Sequence, residues 1–173
     1  GLGWHWDVPL YDRLLAVTGG KERIRYYLSD FGPGFAKPAD YDGFVQRLHA
    51  LKTQHYTAMV RNGQIPLRPG IKSLIATAHA AGIILGIATT TAPANVAALL
   101  EVGLGPHWAS LFGAVGAGDM VPNKKPAPDI YLWVMAQLGV SAADCIALED
   151  SDNGLRASLA AGIRTYVTRN AFT

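Results

Sequence analysis

The sequence predicts an α/β protein in which a small all-helical unit precedes a core built on a parallel sheet. In the first part of the chain, apolar residues recur only at helical spacing and no alternating strand pattern occurs. In the second part, short runs that are apolar at every position alternate with helical segments, as expected for strands buried on both faces. The composition changes at Pro66-Leu67-Arg68-Pro69-Gly70, so we expect domains at residues 1–65 and 66–173.

The first part contains three predicted helices. A helix over residues 10–17 ends at Gly19-Gly20, and a second helix covers residues 22–29. A third runs from residue 41 to 61, because its apolar residues keep helical spacing until Asn62-Gly63. The segment Asp40-Tyr41-Asp42-Gly43 has the D-x-D-G pattern of a nucleophile loop, but no buried strand precedes it and it is interpreted as the N-terminal cap of this helix.

The second part alternates helices with strands, an order typical of right-handed crossovers in a parallel sheet. We predict helices over residues 70–80, 94–102, 128–138 and 155–161. We predict strands over residues 83–88, 112–115, 145–148 and 165–167.

The composition excludes several classes of protein. Half of the 173 residues are hydrophobic and 16% are charged, which excludes a disordered chain. The net charge of +2 has no basic block, so no nucleic-acid partner is expected, and no apolar run reaches the ~18 residues that a membrane span needs. Cys145 has no cysteine to pair with, which favours a reducing compartment: the cytoplasm, or a plastid or other organellar stroma in a eukaryote.

Polar residues follow the predicted strands at the ends where ligands bind in open parallel sheets. Thr89-Thr90-Thr91 follows one strand, Glu149-Asp150 follows another, and Asn123-Lys124-Lys125-Pro126 leads into a helix between them. Hydroxyl and backbone N–H groups hold phosphate oxygens, an ammonium offsets phosphate charge, and carboxylates bind Mg²⁺. The pattern therefore predicts a site for a phosphate and a divalent cation.

Each of these residues also has a purely structural interpretation. The threonines cap helices in many proteins, and Lys125 could be one of two solvated lysines. Glu149 and Asp150 could serve the next helix as caps and dipole partners. We predict that Asp152 is the N-cap of that helix. In the helical part, Arg23 and Lys52 could be ordinary surface charges, or they could hold a second phosphate or a carboxylate.

Three segments resemble the signature motifs of one family. These are Ile87-Ala88-Thr89, then Lys125-Pro126-Ala127-Pro128-Asp129-Ile130-Tyr131, and finally Leu148-Glu149-Asp150-Ser151-Asp152-Asn153-Gly154. In this order they resemble the second, third and fourth motifs of the haloacid dehalogenase-like hydrolases. The chain is most similar to the CbbY-type branch, which resembles the xylulose-1,5-bisphosphate phosphatases and β-phosphoglucomutase.

The resemblance implies a Rossmann-like core and a role for each motif residue. Thr89 looks like the hydroxyl that holds the phosphoryl group, with the backbone of Thr90 assisting. Lys125 looks like the lysine that neutralises nucleophile and phosphate. Glu149 and Asp150 look like the acids that hold Mg²⁺.

The resemblance also implies that residues 1–65 form a helical cap domain that covers the site. Gly20 and Arg23 match the cap's G-x-x-R specificity loop, and Lys52 is similar to a cap lysine that faces the substrate. Lys21 adds a second basic residue to this loop, which favours a substrate with two phosphates.

One family motif is absent. The first motif, a strand that ends in D-x-D-G-T, supplies the aspartate nucleophile and an acid/base aspartate. In the family this strand lies between the strands predicted at residues 83–88 and 145–148. We therefore expect this chain to be a fragment, inactive as given, of a Mg²⁺-dependent phosphatase acting on a small phosphorylated sugar. A phosphomutase or a non-catalytic phospholigand-binding domain is the alternative. The oligomeric state stays open.

Overall fold

The computed structural model describes residues 2–32 and 34–169. Its α-helices are α1 (Val8–Leu14), α2 (Gly20–Asp30), α3 (Tyr41–Arg61), α4 (Ile71–Ala80), α5 (Pro93–Leu104), α6 (Asp129–Leu138) and α7 (Asp152–Ala160). Its strands are β1 (Gly86–Ala88), β2 (Ala114–Gly116), β3 (Ile146–Glu149) and β4 (Arg164–Val167), and 3₁₀ turns cover Trp108–Leu111 and Ala142–Asp144. No helix in the described ranges combines the length and apolar character needed to cross a bilayer.

The helices α1, α2 and α3 form the helical half, the described residues up to 61. Their shared core is a cluster of buried apolar side chains, namely Leu14, Ile24, Tyr27, Leu28 and Val45. Asp40 accepts a hydrogen bond from the Gly43 amide at 2.9 Å, which confirms that this segment caps α3 and identifies Asp40 as the capping residue. Because α3 also packs against α5, the helical half lies on the α/β half, residues 66–169. The exact domain boundary stays a prediction.

The strands pair in parallel, as the sequence predicts, but they form two separate pairs. Gly86 of β1 is in register with Ala114 of β2, and Ile146 of β3 with Arg164 of β4. Within the described residues no ladder joins β1 to β3. β1 is shorter than the predicted strand of residues 83–88, because only three of its residues pair with β2.

Apolar side chains of the strand segments stay exposed. Ile146 and Leu148 of β3 are 67% and 49% exposed, and Ile83 and Ile84 before β1 are 57% and 62% exposed. The alternate residues of β3, Ala147 and Glu149, are buried. One face of β3 is therefore buried, whereas the apolar side chains on its other face are exposed to solvent.

The packing of helix α6 on the strands positions the segment that precedes α6 in the chain. The helix packs directly on β1 and β2, and two strand glycines make this close approach possible. A Cβ atom at Gly86 would lie 2.8 Å from Val134 Cγ1, and one at Gly116 would lie 2.8 Å from Ile130 Cδ1. The start of α6, with the segment that contains Lys125, is thereby held near the carboxyl ends of the strands.

Candidate active site

Lys125 connects the ends of the two strand pairs. Its ammonium donates to the Ala88 carbonyl oxygen at 2.9 Å, at the end of β1. It also lies 2.5 Å from Glu149 Oε1, at the end of β3. The Lys125 and Glu149 side chains are only 9% and 8% exposed, so the two charges neutralise each other out of contact with water. The structural interpretation of Lys125 as a solvated lysine is wrong.

Tyr131 of α6 completes this buried group. Its hydroxyl donates to Glu149 Oε1, and the Lys125 ammonium lies 4.8 Å from the centre of its ring. Burial raises the pKa of Tyr131, and the hydrogen bond to Glu149 raises it further. Tyr131 therefore stays a neutral donor that holds the Glu149 carboxylate in place.

The segment after β3 leaves room for the Glu149 carboxylate. A Cβ atom at Gly154 would collide with Glu149 Oε2, so a glycine is required beside this carboxylate. Ser151 caps α7, since its hydroxyl accepts from the Gly154 amide at 3.1 Å. The prediction that Asp152 is the N-cap is wrong: Ser151 has the extended backbone that a cap requires, whereas Asp152 is already the first helical residue.

Asp150 and Glu149 have different surroundings. Neighbouring residues at a strand end point to opposite faces, and the Asp150 side chain is 54% exposed with its Oδ2 atom 3.1 Å from an Arg68 nitrogen. Within the described ranges, no three His, Cys, Asp or Glu side chains converge as a ready metal site. Mg²⁺ is commonly held by one or two carboxylates together with substrate oxygens and water. Asp150, an accessible oxygen donor at the end of β3, fits that mode of binding.

The threonines after β1 do not cap α5. The Thr89 amide donates to the Gly116 carbonyl at 2.9 Å, and the Thr89 hydroxyl accepts from the Thr91 amide at 3.2 Å. The N-cap of α5 is Ala92, which has no side-chain cap. Thr89 therefore lies at the carboxyl end of β1, next in the chain to the carbonyl that Lys125 binds.

A cleft of about 200 Å³ lies between Thr90 and the helical half. Three predicted binding residues line it, Gly20, Lys21 and Thr90. His49 of α3 also lines it, against Gly20, where a Cβ atom would lie 2.5 Å from the imidazole Nε2. Gly20 is thus required for the close approach of His49. Burial, and then the neighbouring charges of Lys52 and Lys21, lower the pKa of His49 and favour its neutral form.

The other two predicted binding residues do not line this cleft. The Arg23 guanidinium turns into the helical half, where it donates to the carbonyls of Leu14 and Val17 at 3.2 Å. The Lys52 ammonium lies 5.4 Å from the ring centre of Tyr56. Burial, and then the charge of Arg23, lower the pKa of Lys52. A contact of Arg23 or Lys52 with substrate stays a prediction.

Comparison with known proteins identifies the family of this chain. A family model described as a haloacid dehalogenase-like hydrolase matches residues 13–162. The chain belongs to the haloacid dehalogenase-like hydrolases. This confirms the resemblance seen in the three motifs, the α/β fold with parallel strands, and the predicted enzyme class, a phosphoric monoester hydrolase.

The CbbY proteins are similar to the whole of this chain. Protein CbbY of Cupriavidus necator is 51% identical over 173 residues, which are 100% of this chain and 68% of that protein. The crystal structure of CbbY from Rhodobacter sphaeroides with phosphate has a TM-score of 0.90 and 43% identity, over 99% of this chain and 74% of that one. A mutant of the same protein with xylulose-(1,5)bisphosphate has a TM-score of 0.89 with the same identity and coverage.

Four residues that the structure places at the candidate site are not among the sequence-based assignments: Tyr131, Gly154, His49 and Asp119. Tyr131 and Gly154 stand inside the motifs quoted for the family, six and five residues after Lys125 and Glu149. Their position inside these motifs could have indicated that they lie at the site. His49 and Asp119 carried no signal, because only the packing of α3 and of the segment after β2 brings them to the cleft.

Proposed function

We propose that this chain forms most of the site of a Mg²⁺-dependent phosphatase that acts on a small phosphorylated sugar. The observation that carries the proposal is the position of Lys125. Its buried ammonium lies between the Ala88 carbonyl and Glu149, at the ends of β1 and β3, and Thr89 follows Ala88 directly. A fixed positive charge beside hydroxyl and amide donors, at the carboxyl edge of parallel strands, suits a phosphoryl group.

Each residue has a distinct task in this proposal. The Thr89 hydroxyl and the Thr90 amide donate to phosphoryl oxygens, while Lys125 offsets the negative charge of the phosphoryl group and of the attacking carboxylate. Asp150 would hold Mg²⁺, and the bound ion would supply further charge neutralisation at the phosphoryl oxygens, whereas Glu149 is engaged by Lys125 and would hold that lysine in place. Tyr131 keeps Glu149 and Lys125 in one arrangement through its hydrogen bond.

The nucleophile is proposed to come from a strand that fits between β1 and β3. In the described residues these strands share no ladder, and the Ile146 and Leu148 side chains of β3 are exposed. Unpaired strand edges with exposed apolar side chains are costly, and an inserted strand would relieve that cost. An aspartate at its end would attack phosphorus, the sugar oxygen would leave with a proton from a second aspartate, and water would then cleave the aspartyl-phosphate.

The helical half is proposed to be the cap domain, residues 1–65, over a core of residues 66–173. The cleft at Thr90 gives the remainder of the substrate a place, and Lys21 on its wall is a basic residue suited to a second phosphate. The binding of xylulose-(1,5)bisphosphate by a mutant of the similar Rhodobacter protein supports a sugar bisphosphate. A cytoplasmic location remains part of this proposal.

The test uses this chain extended at its N-terminus by an apolar strand that ends in Asp-x-Asp. With xylulose-1,5-bisphosphate and Mg²⁺, we expect release of inorganic phosphate that stops when EDTA removes the metal. Lys125→Met should lower kcat by ~10²–10³, the loss typical when one stabilising donor is removed. Lys72→Met, at an exposed lysine of α4, is the matched control and should not change kcat.

The products separate the alternatives. An isomerised sugar phosphate without free phosphate would identify a phosphomutase instead. Binding of the bisphosphate without any turnover would identify a phospholigand-binding domain. Full activity of the Lys125 variant would contradict the assignment of Lys125.

A further inference from the structure

Four charged side chains join the helical half to the segment that precedes α6. The Lys21 ammonium lies 2.7 Å from Asp119 Oδ2, and the Lys124 ammonium lies 2.7 Å from Asp119 Oδ1. Lys124 also lies 2.8 Å from Glu22 Oε1. The charges alternate along the chain of contacts, and each carboxylate binds Lys124 from a different half of the molecule. We call this group the charge bridge.

Lys124 is the most buried member of the charge bridge. Its side chain is 16% exposed, against 38% for Glu22 and 59% for Asp119. Burial opposes the charge on Lys124, but hydrogen bonds to Asp119 and Glu22 outweigh it and raise the pKa of Lys124. An ammonium in this position needs both carboxylates, because loss of either leaves a partly buried charge with one partner.

The turn before α2 is shaped to allow this contact. Gly19 has a φ of 98°, in the region that favours glycine. A Cβ atom there would collide with Glu22 Oε2 and would lie 3.0 Å from the Lys124 ammonium. Gly19 thus provides both the backbone conformation and the space that bring Glu22 and Lys124 together, which is an observation independent of the ion-pair distances.

The backbone around Lys124 is held as one unit with the backbone of Lys125. The Ala127 amide donates to the Lys124 carbonyl at 3.0 Å. Asp129 Oδ2, at the start of α6, accepts from the Asn123 side-chain amide at 2.9 Å. Contacts that fix the Lys124 side chain therefore also restrict the backbone of Lys125, whose ammonium donates to the Ala88 carbonyl.

We propose that Glu22 and Asp119 are positioning residues that hold Lys124, so that contact with the helical half fixes the backbone carrying Lys125. Neither carboxylate takes part in phosphoryl transfer. Through the charge bridge, the position of the helical half affects the position of Lys125. Two of its members, Lys21 and Asp119, are 98 positions apart in the sequence. The consequence for turnover rests on the proposed phosphatase function; the structural coupling itself does not.

The first test measures hydrogen exchange of the peptide that covers residues 119–127 in this chain. Lys21→Ala removes a partner of Asp119 and touches neither Lys124 nor Lys125, yet it should speed exchange in this peptide by about three- to tenfold. Glu22→Gln should act in the same direction. Arg25→Ala is the control, since it breaks a 2.8 Å ion pair with Asp42 inside the helical half, and it should leave the peptide unchanged.

The second test measures turnover of the strand-extended chain with p-nitrophenyl phosphate, which has no second phosphate. Asp119→Asn should lower kcat severalfold with little change in KM, because Lys125 is displaced while the phosphate pocket keeps its donors. A change confined to the KM of a sugar bisphosphate would make Asp119 a substrate contact and overturn the proposal. Unchanged exchange in both the Lys21 and Glu22 variants would also overturn it. If wild-type protein hydrolyses neither substrate, the phosphatase proposal fails, and the exchange measurement still decides the coupling.

Discussion

The buried pair of Lys125 and Glu149 makes a stability prediction that needs no substrate. In Lys125→Met, the Glu149 carboxylate stays 8% exposed but loses its counter-ion. Breaking a buried ion pair by removing one partner costs roughly 3–5 kcal/mol. The Tyr131 hydroxyl still donates to Glu149 and offsets about 1 kcal/mol of that loss. We therefore expect the free energy of unfolding to fall by about 2–4 kcal/mol.

The double variant tests whether this loss comes from the unpaired charge. In Lys125→Met with Glu149→Gln, no charge is buried and the glutamine oxygen still accepts from Tyr131. We expect the double variant to lie within about 1.5 kcal/mol of wild type, because removing both partners avoids the uncompensated charge. Arg47→Met is the control, since the Arg47–Asp40 pair has side chains 65% and 66% exposed and should contribute less than about 1 kcal/mol.

Urea unfolding followed by tryptophan fluorescence measures these differences, as the chain has four tryptophans. A loss below about 1 kcal/mol in Lys125→Met would refute the burial of the pair. A double variant as unstable as the two single losses added together would refute the coupling of Lys125 to Glu149.

Two further predictions concern the cleft. Gly20→Ala should displace the His49 imidazole and lower the free energy of unfolding, measured in urea, by about 1–3 kcal/mol. Adding His49→Ala to the same chain should remove this loss of stability. If the loss remains in the double variant, the contact between Gly20 and His49 is contradicted. Hydrogen bonds from Lys124, then Lys21, lower the pKa of Asp119 from 3.8 to about 2. Because this pKa is lower in the folded protein, the stability that wild type has over Asp119→Asn should be present above pH 4 and disappear as the pH falls towards 2. The difference should stay below about 1 kcal/mol, since Asp119 is 59% exposed, and a difference that does not change with pH would contradict this reasoning.

Much of the fold follows from local patterns in the sequence. The helix predicted for residues 41–61 coincides with α3, because helical spacing and the Asp40 cap act within a few residues. The strands predicted at residues 145–148 and 165–167 match β3 and β4 to within one residue at each end. The strand predicted at residues 83–88 does not reach its full length, since an apolar run forms a strand only where a neighbouring strand supplies hydrogen bonds.

Some features of the candidate site could likewise be predicted from the sequence, and others could not. The position of Thr89, Lys125 and Glu149 near the strand ends could be predicted from the sequence, because residues that follow parallel strands lie at one edge of the sheet, and their roles there stay predictions. The sequence could not tell that Glu149 is buried against Lys125 while Asp150 faces Arg68, although the alternation of a strand separates them. Both acids look alike in the sequence, and only the position of α6 decides which one is covered.

The sequence by itself therefore determined the helices, the parallel strands, and the residues placed at their carboxyl ends, since each depends on a short-range pattern. The tertiary structure alone decided that Arg23 donates to Leu14 and Val17 while Lys21 reaches Asp119. It also decided that Lys124 lies between Asp119 and Glu22. The contacts of Lys21 with Asp119 and of Lys124 with Glu22 join side chains about a hundred positions apart, and their formation depends on how the two halves pack together. No local pattern of residues predicts how the two halves pack against each other.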